Sequence, residues 1–584
     1  MALGSPDSGV GSSPLTRSSA QLAALVEAYQ NMEMAIGRYV LLVLVPALVF
    51  FAGSTAAAVA APLPLLIRAP LAMLGALMVG AAAVFPKLQF ESRKRGLENQ
   101  LHLFITHITI LSTTNINRVE VFRHLATEQE YGEIAAEMGR VVRLVDTWNR
   151  SLNEATKRRA KAVPSKPFAD LLDRLSYSLE SGQELGDFLL DEQDAIIQEY
   201  VTIYESTLGN LEVMRDLYLS MILSMTFAVV NSVILPILVG VDAASTVAAV
   251  IVLFVFVQLG FYYVIRVISP YDPLWYHTDQ YRTEASRRMG VALAVGVVLV
   301  ALLTPVVLLS HYGIAMPRPL VSFFSSLDVP LLFAIPITPL LLPALVARQA
   351  ENKVKNKDEE YPGFIRALGS AESAKQSTTS AVLSDLHEKD FGDLTADIDA
   401  LYTRLNMRID PERAWEYFSS ESGSYLIQKF NNMYQTGRQM GGDPKLLAEL
   451  ISKNMHTVMQ LRQQRKQSTI TLIGVLYGIT ASATFSLFIA YEVVEILSGL
   501  AVDMELGQRL PVGQLLYSGV YDLPLIQFEL SLILLFNAAL SALMIREVDG
   551  GHKNNAYLHF VALTWTGCLI ASLTIHIVSQ LLAV

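Results

Sequence analysis

Long apolar runs alternate with two long polar stretches along the chain. A helix of about 20 apolar residues can cross the hydrocarbon core of a bilayer. Nine runs of about this length occur in the 584 residues. They predict membrane-spanning helices at residues 39–62, 69–86, 218–241, 247–268, 289–310, 329–347, 470–496, 525–545 and 558–582.

The polar stretches, residues 87–217 and 348–467, are large enough to fold as domains, and their pattern is helical. Leu97, Leu101 and Phe104 are three or four residues apart, as on one face of a helix. Neither stretch shows sustained apolar and polar alternation, so no sheet is expected. The sequence predicts an all-α polytopic membrane protein with two cytoplasmic helical-bundle domains.

The expected organisation has six parts. The first 38 residues form a Ser- and Gly-rich tail and an amphipathic helix from about Leu22 to Ile36. The other parts are spans one and two (39–86), the first helical domain (87–217), spans three to six (218–347), the second helical domain (348–467) and spans seven to nine (468–584).

Short matches between the polar stretches indicate an internal repeat. Phe104-Ile105 and Phe364-Ile365 are 260 residues apart, as are the segments at 131–134 and 391–394. Glu137 and Asp397 keep this offset, whereas matching Gly182 and Gly186 to Gly437 and Gly441 gives an offset of 255. The glycines are expected to end one helix before the next begins. The structural glycines are Gly132, Gly182, Gly186, Gly392, Gly437, Gly441, Gly550 and Gly551.

The helices that follow these turns are expected to run from about Asp187 towards Val241 and from about Pro444 towards Ile496. Each would connect its domain rigidly to the membrane. Each half then has two spans, a helical domain and two more spans, in the same orientation. A ninth span completes the chain.

The distribution of charge predicts the orientation in the cell membrane. With a cytoplasmic N-terminus, only Arg68, Arg318 and Arg509 of the 44 Lys and Arg residues lie in or beside outer connections. Cytoplasmic loops carry an excess of basic residues, so this topology is favoured. Nine spans then place the C-terminus outside.

Composition excludes several classes of function. With 52% hydrophobic and 17% charged residues and a net charge of −10, the chain is neither a typical soluble protein nor a nucleic-acid-binding one. Phosphate-binding-loop, zinc-protease and G-x-S-x-G motifs are absent. No catalytic residue, cofactor or metal is predicted. Its single cysteine, Cys568, falls in the last span and is expected to pack there.

A proton-coupled transporter is the alternative from a different class, because ionisable groups in spans are functional candidates. Glu492, Glu495, Glu529 and His576 are the residues concerned. Their positions near the outer ends of spans weaken this interpretation, since the carboxylates can reach water there.

Charged clusters on the cytoplasmic side are the candidates for binding a partner. They lie in the first domain, at the junction of the second domain with its span, and in the loop before the last span. Contact with lipid headgroups or solvent is the alternative explanation. The candidates are Lys157, Arg158, Arg159, Lys161, Arg462, Arg465, Lys466, Arg546, Glu547, Asp549 and Lys553.

Duplicated helical domains between spans, with Asp549-Gly550-Gly551 in the final loop, resemble the type II secretion system F domain superfamily, which includes TadC-like proteins. The closest resemblance is to archaellum (archaeal flagellum) platform proteins, the FlaJ or ArlJ family. It covers nearly the whole chain after about Leu22.

The resemblance implies a platform in the cell membrane beneath an extracellular filament. A cytoplasmic hexameric ATPase would bind the inner domains, and pilin-like subunits, the archaellins, would pass from the bilayer into the filament. The ATPase would then drive filament assembly and rotation. A homodimer is a reasonable expectation. The alternative within the superfamily is the platform of an archaeal type IV adhesive pilus.

Overall fold

Helices form all the regular secondary structure among the described residues. The computed structural model describes residues 36–60, 93–114, 116–276, 284–311, 317–375, 379–506 and 521–582, with scattered positions between 75 and 90. Within these ranges the only β-type pairing is one isolated bridge between Trp275 and Ser424. The predicted all-α fold is confirmed.

Nine of the described helices precede residue 240. A π-helical turn, Val40–Leu44, separates the first two, and a 3₁₀ turn, Gln129–Tyr131, precedes the fifth. They are α1 (Ile36–Tyr39), α2 (Val45–Ala60), α3 (Leu101–Ser112), α4 (Arg118–Thr127), α5 (Glu133–Asp146), α6 (Leu152–Ala160), α7 (Lys166–Glu180), α8 (Leu185–Ile234) and α9 (Pro236–Val239).

Twelve more described helices follow, with 3₁₀ turns at Thr338–Leu340, Gly392–Leu394 and Lys553–Asn555. They are α10 (Ala243–Ile268), α11 (Glu284–His311), α12 (Arg318–Ser325), α13 (Val329–Ile337), α14 (Leu341–Lys375), α15 (Thr379–Leu386), α16 (Thr395–Asn406), α17 (Pro411–Ser422), α18 (Tyr425–Gln439), α19 (Pro444–Leu506), α20 (Leu523–Asp549) and α21 (Ala556–Leu582).

Eight helices among the described residues are long and apolar enough to cross a membrane, and each overlaps one of the predicted spans. The chain is therefore a multi-pass membrane protein. The remaining predicted span, 69–86, falls mostly outside the described residues, as does the segment 1–35. In the apolar half of the molecule α8, α10, α19 and α20 share one core, which includes Val229, Val247, Phe488 and Ile526.

The chain divides into two compact units. One contains residues 1–101 and 122–183, and the other contains residues 102–121 and 184–584. The smaller unit thus holds α5, α6 and α7, and the larger holds the long helices α8 and α19 with α14 to α18.

Backbone conformation reveals the repeat more clearly than the sequence does. Positive φ angles recur in matching pairs along the chain, at Gly132 and Gly392, at Asn149 and Arg408, and at Gly182 and Gly441. The spacing within these pairs is constant to one position. Since only glycine adopts this conformation freely, residues such as Asn149 and Arg408 rarely share it by chance.

The helix starts keep the same spacing. α6 corresponds in this way to α17, α7 to α18, and α8 to α19. Ser165 and Ser424 cap α7 and α18, each accepting a hydrogen bond from the backbone N–H three residues later. The two polar stretches therefore fold as two copies of one helical unit.

The offset of 255 predicted at the glycines is therefore wrong. Gly437 lies inside α18, and Gly441 is the residue that corresponds to Gly182. Gly437 is needed for a different reason: a Cβ there would lie 2.7 Å from Ile110 Cγ2 and 2.9 Å from Leu447 Cδ1. The predicted long helices are confirmed, since α8 runs from Leu185 to Ile234 and α19 from Pro444 to Leu506.

Candidate functional site: the paired exit helices and their clamps

Two very long helices leave the helical copies and continue into the apolar part of the chain. The exit helices, as we call α8 and α19, contain 50 and 63 residues. At a rise of 1.5 Å per residue they extend about 75 Å and about 95 Å. Unbroken helices of this length connect the helical copies directly to the membrane-spanning segments.

The exit helices lie side by side, parallel and in register. Lys453 Nζ is 2.6 Å from Asp194 Oδ2, and Gln464 Nε2 donates to Glu205 Oε1 at 3.1 Å. Both pairs join residues 259 apart, which is the offset of the repeat. Residues at equivalent positions of the two halves are therefore in contact. The same arrangement occurs where two identical helices pack around a two-fold axis parallel to them.

Helix α3 is hydrogen-bonded to both exit helices near their starts. Asn454 Nδ2 donates to the carbonyl oxygen of His102 at 2.8 Å and to Thr106 Oγ1 at 2.6 Å. Gln193 Nε2 donates to the same Thr106 oxygen at 3.4 Å. The His102 ring stacks on Tyr200 with a centroid distance of 4.1 Å. Shared polar contacts thus hold the three helices together.

An arginine that is 16% exposed at its side chain, Arg462, joins α19 to two other parts of the chain. Arg462 Nε and Nη2 each donate to an oxygen of Asp272 at 2.7 Å, and Nη1 donates to Asp358 Oδ2 at 2.7 Å. Asp272 lies in the segment between α10 and α11, and Asp358 lies in α14. Ser424, the cap of α18, donates to Asp358 as well. We call these four residues the Arg462 clamp.

The clamp sets the charge states of the groups around it. Burial alone would raise the pKa of Asp272, but the Arg462 guanidinium outweighs it and holds this pKa below its usual value. Burial lowers the pKa of the nearby His102 to about 3; to a smaller extent Asp272 raises this pKa and Arg462 lowers it. Burial raises the pKa of Asp358 to about 6 despite Arg462, so at neutral pH the clamp is mostly ionised, and His102 is neutral.

The segment between the halves is also attached to the second copy through backbone hydrogen bonds. The N–H of Tyr276 donates to the carbonyl of Gly423 at 2.9 Å, and the N–H of Tyr425 donates to that of Leu274 at 3.0 Å. Gly423 has a positive φ of 68°. The hydrogen-bonded segment lies between α10 and α11. Its observed role is to join α10 to the start of α18.

A second clamp joins the loop before the last span to the same two helices. Arg465 donates to the carbonyl oxygens of Val548 at 2.6 Å and Glu547 at 3.0 Å. The guanidinium fills the space beside Gly550, whose φ is +76° and where a Cβ would lie 2.7 Å from Arg465 Cζ. Any other residue at Gly550 would displace the arginine.

Glu351 of α14 holds the other side of this loop. Its Oε2 accepts from the N–H of His552 at 2.9 Å and from Asn555 Nδ2 at 2.6 Å, and its Oε1 is 2.7 Å from Lys355 Nζ. A Cβ at Gly551 would lie 2.7 Å from Glu351 Oε2. The two glycines therefore allow Arg465 and Glu351 to grip the loop from both sides.

A polar contact also links the helices within the apolar region. Gln258 Nε2 donates to Asn537 Oδ1 at 2.6 Å and to Tyr218 Oη at 3.3 Å, and Asn537 donates to Thr480 Oγ1 at 3.4 Å. These hydrogen bonds connect α8, α10, α19 and α20. Between helices in lipid such side-chain bonds contribute about 0.6 kcal/mol on average.

In the smaller unit, a buried carboxylate organises the helices. Glu137 of α5 is fully buried and accepts from Arg159 Nη2 at 2.7 Å, from Arg93 Nη2 at 3.0 Å and from Arg140. In the second copy Asp397 occupies the corresponding position, and Lys357 lies 2.6 Å away. Both copies thus bury an acid at this place.

Comparison with known proteins identifies the family. The type II secretion system (T2SS), protein F family matches residues 104–231. The flagella accessory protein J of Methanocaldococcus jannaschii is 35% identical over 513 residues, which cover 88% of this chain and 90% of the relative. That of Methanococcus voltae is 32% identical over 507 residues, covering 87% and 90%.

The chain belongs to the flagella accessory protein J family. The resemblance inferred from the sequence is confirmed. The protein F match covers the first copy from Phe104 onwards and nearly all of α8, and the second copy repeats the helices α6 to α8 at a constant spacing. No solved structure matches the chain.

In this family member, several predicted partner-binding residues are engaged within the chain. Arg159 contacts Glu137, Arg462 and Arg465 form the clamps, and Arg546 lies 2.6 Å from Glu547. Asp549 lies 3.9 Å from Lys355. The exposed members of the set are Lys157, Arg158, Lys161, Lys466 and Lys553. A role for the set in binding a partner stays a prediction.

Sequence reasoning missed the residues that complete the clamps. Asp272, Asp358 and Glu351 lie 190, 104 and 201 residues from the groups that they bind. Helical periodicity was the only available signal: Asp358, Tyr361 and Ile365 share the buried face of α14. Charges on a buried face require partners.

The residues considered for transport lie apart from these clamps. Glu492 is buried in α19, and His576 Nδ1 is 3.5 Å from Asp328 Oδ2. Among the described residues, no group of three His, Cys, Asp or Glu side chains is placed to hold a metal.

Proposed function

We propose that this chain is the membrane platform of an archaellum machinery, which binds a hexameric cytoplasmic ATPase and converts its ATP hydrolysis into assembly and rotation of the filament. The relatives' names and the protein F match support a platform in flagellar machinery. The platform itself would supply binding surfaces and mechanical connection, and the ATPase would supply the chemistry.

The continuity of the exit helices is the observation that carries this proposal. They contact each other at repeat-equivalent positions, and both clamps fix α19 to its neighbours. Helices packed in this way move together more readily than they bend. A displacement imposed on either copy would therefore reach the spans.

We propose a cytoplasmic N-terminus and cytoplasmic helical copies, because the opposite topology would place most Lys and Arg residues outside. The filament subunits would be archaellins, which must approach the spans from within the bilayer. A second copy of the chain would complete a symmetric base for the filament.

Photocrosslinking in cells tests the binding of the ATPase. A photoreactive residue at Arg158 samples the exposed face of the first copy, and one at Lys466 samples the start of the apolar part of α19. The matched control carries the residue at Asp242, between α9 and α10, which the proposed topology places outside. Crosslinks to the ATPase are expected from at least one inner position and not from Asp242.

Absence of ATPase crosslinks from both inner positions would contradict the proposal. A gene deletion then identifies the filament. Loss of swimming with surface attachment intact is expected for the archaellum, whereas loss of attachment alone would assign the platform to an adhesive pilus.

A further inference from the structure

A polar cleft opens on the second helical copy, between α17 and α18. Its volume is about 240 Å³. Pockets for drug-sized ligands have volumes of about 300–1,000 Å³, so this cleft suits a single side chain better than a nucleotide. All the residues that line it are polar, and they include Glu412, Glu416, Ser419, Gln428, Asn431 and Gln435.

Asn431 has one polar atom, its Oδ1, that its contacts with α17 do not use. It is only 1% exposed, and its Nδ2 donates to Ser419 Oγ at 2.8 Å and to the Trp415 carbonyl at 3.4 Å. Its Oδ1 has no partner among the described residues, and neither has Gln428 Oε1. Burying an oxygen without a hydrogen-bond donor destabilises the folded state. A donor from another molecule would satisfy both of these acceptors.

The first copy shows that the fold does not need this polarity. At the offset of 259, Leu172 corresponds to Asn431 and Ala169 to Gln428. Leu172 is buried in α7. The same helix pair therefore packs with apolar residues, and the amides of the second copy are additional to what its fold requires.

The charge at the cleft differs between the copies in the same way. Glu412 and Glu416 lie one helical turn apart on α17 and are both exposed. Lys157 stands at the position equivalent to Glu416. Among the described residues that line the cleft none is basic. The described residues that line the cleft thus provide two acceptors without a donor and two carboxylates.

We propose that this cleft binds an arginine side chain supplied by another protein. A guanidinium presents five N–H donors in one plane, which matches several acceptors at once, and its charge complements the two carboxylates. Hydrogen bonds from a charged donor are also stronger than neutral ones. The inference concerns the cleft alone and does not require that the partner be the ATPase.

Binding of ethylguanidinium to the full-length protein in detergent tests the chemistry of the site. The exchange of Asn431→Leu installs the residue of the first copy, and Glu416→Lys installs its charge. Each should weaken binding about tenfold, because a hydrogen bond or ion pair to the guanidinium is lost. Glu388→Lys, the same charge reversal at an exposed position outside the cleft, should bind as the unmodified chain does.

Equal binding by all four proteins would overturn the assignment of the site. Glu416→Lys changes an exposed side chain, so its result remains informative even if Asn431→Leu folds poorly.

Crosslinking in cells distinguishes the sources of the cation. A photoreactive residue at Gln435, on the wall of the cleft, is followed by mass spectrometry of the crosslinked peptides. The expected product contains an arginine-bearing peptide of a different protein and is lost in Glu416→Lys. Crosslinks only to small molecules such as polyamines, only to peptides of this chain, or to nothing would overturn the proposal.

Discussion

The two helical copies share a backbone but differ in the chemistry built on it. Positive φ angles, helix starts and serine caps recur in the second copy at the spacing of the repeat. The buried acid is held by three arginines in the first copy, at Glu137, and contacts Lys357 in the second, at Asp397. Leu172 is replaced by Asn431 in the second copy.

This difference separates what the fold needs from what the function uses. Turns, caps and helix starts persist because both copies must position a long exit helix. Residues in contact with other parts of the chain have diverged: three arginines contact Glu137, whereas Lys357 contacts Asp397. A machine that touches both copies would meet Lys157 on one and Glu416 on the other, which are unlike surfaces on like scaffolds.

The largest effect is expected from Arg462→Ile. Isoleucine is chosen because Ile203 is the equivalent residue of α8. The change leaves Asp272 and Asp358 buried without their cation. Removing one partner of a buried ion pair costs about 3 to 5 kcal/mol. Hydrogen exchange of the full chain in detergent should show faster opening of residues 269–276.

The conservative variant Arg462→Lys keeps the charge but loses the paired contact with Asp272. Its hydrogen-exchange rate at residues 269–276 should therefore lie between those of the unmodified chain and Arg462→Ile. Unchanged hydrogen exchange in Arg462→Ile would show that the Arg462 clamp, which the first half lacks, does not stabilise residues 269–276.

A smaller effect compares the buried acids directly. Glu137→Gln weakens contacts with three arginines and should reduce local stability by about 3 kcal/mol, whereas Asp397→Asn should cost about 1 kcal/mol. Burial raises the pKa of Asp397 despite Lys357, so folding disfavours its charged form. Local hydrogen exchange around α5 and α16 measures both; equal effects would argue that the acids play the same role.

His102 should make stability depend on pH, because burial lowers its pKa to about 3. Below about pH 6.5 the unfolded chain takes up a proton that the folded chain refuses. The free energy of unfolding is therefore unaffected by His102 at neutral pH. As the pH falls from about 6.5 to about 3, it decreases by about 1.4 kcal/mol per pH unit. Thermal unfolding across this range should be steeper with pH than in His102→Phe.

The phenylalanine can retain the stack on Tyr200 but cannot be protonated. Asp272 loses stabilisation in the same direction as pH falls, so only the difference between the two proteins reports on His102. Parallel pH profiles would contradict its assignment as a buried neutral group. Pro362 stands at the equivalent place in the second half, so this dependence belongs to the first.

The smallest effect is expected where the two halves meet. Lys453 and Asp194 are both about 60% exposed, and an exposed ion pair contributes about 0 to 1 kcal/mol. Lys453→Ala should therefore shift thermal unfolding little, with a similar result for Asp194→Ala. A large loss from either would mean that this pair, rather than the clamps, holds the exit helices together.

Hydropathy located the spans, and Phe104-Ile105 with Phe364-Ile365 revealed the repeat, because both depend on the apolar pattern that decides burial. The glycines were harder. Gly437 allows close packing and Gly441 a left-handed turn, and a sequence does not distinguish these uses. The resulting error placed the second turn too early in the chain, at Gly437 instead of Gly441.

The clamps could not be predicted for a different reason. Arg462, Arg465 and Lys466 form a basic run, and such runs are usually solvated. Only Lys466 is exposed, because the other two side chains meet groups from distant segments of the chain. Local pattern carries no information about an acid 190 residues away.

The central claim is that the exit helices move as one body, and a distance measurement tests it. Spin labels at Asp194→Cys and Lys453→Cys, in a chain whose Cys568 is replaced by Ser, report the separation of α8 and α19 by pulsed electron paramagnetic resonance. If the two helices move together, the same narrow distance distribution is expected without the ATPase and during ATP hydrolysis by the ATPase. A second, longer distance that appears only with ATP would contradict it.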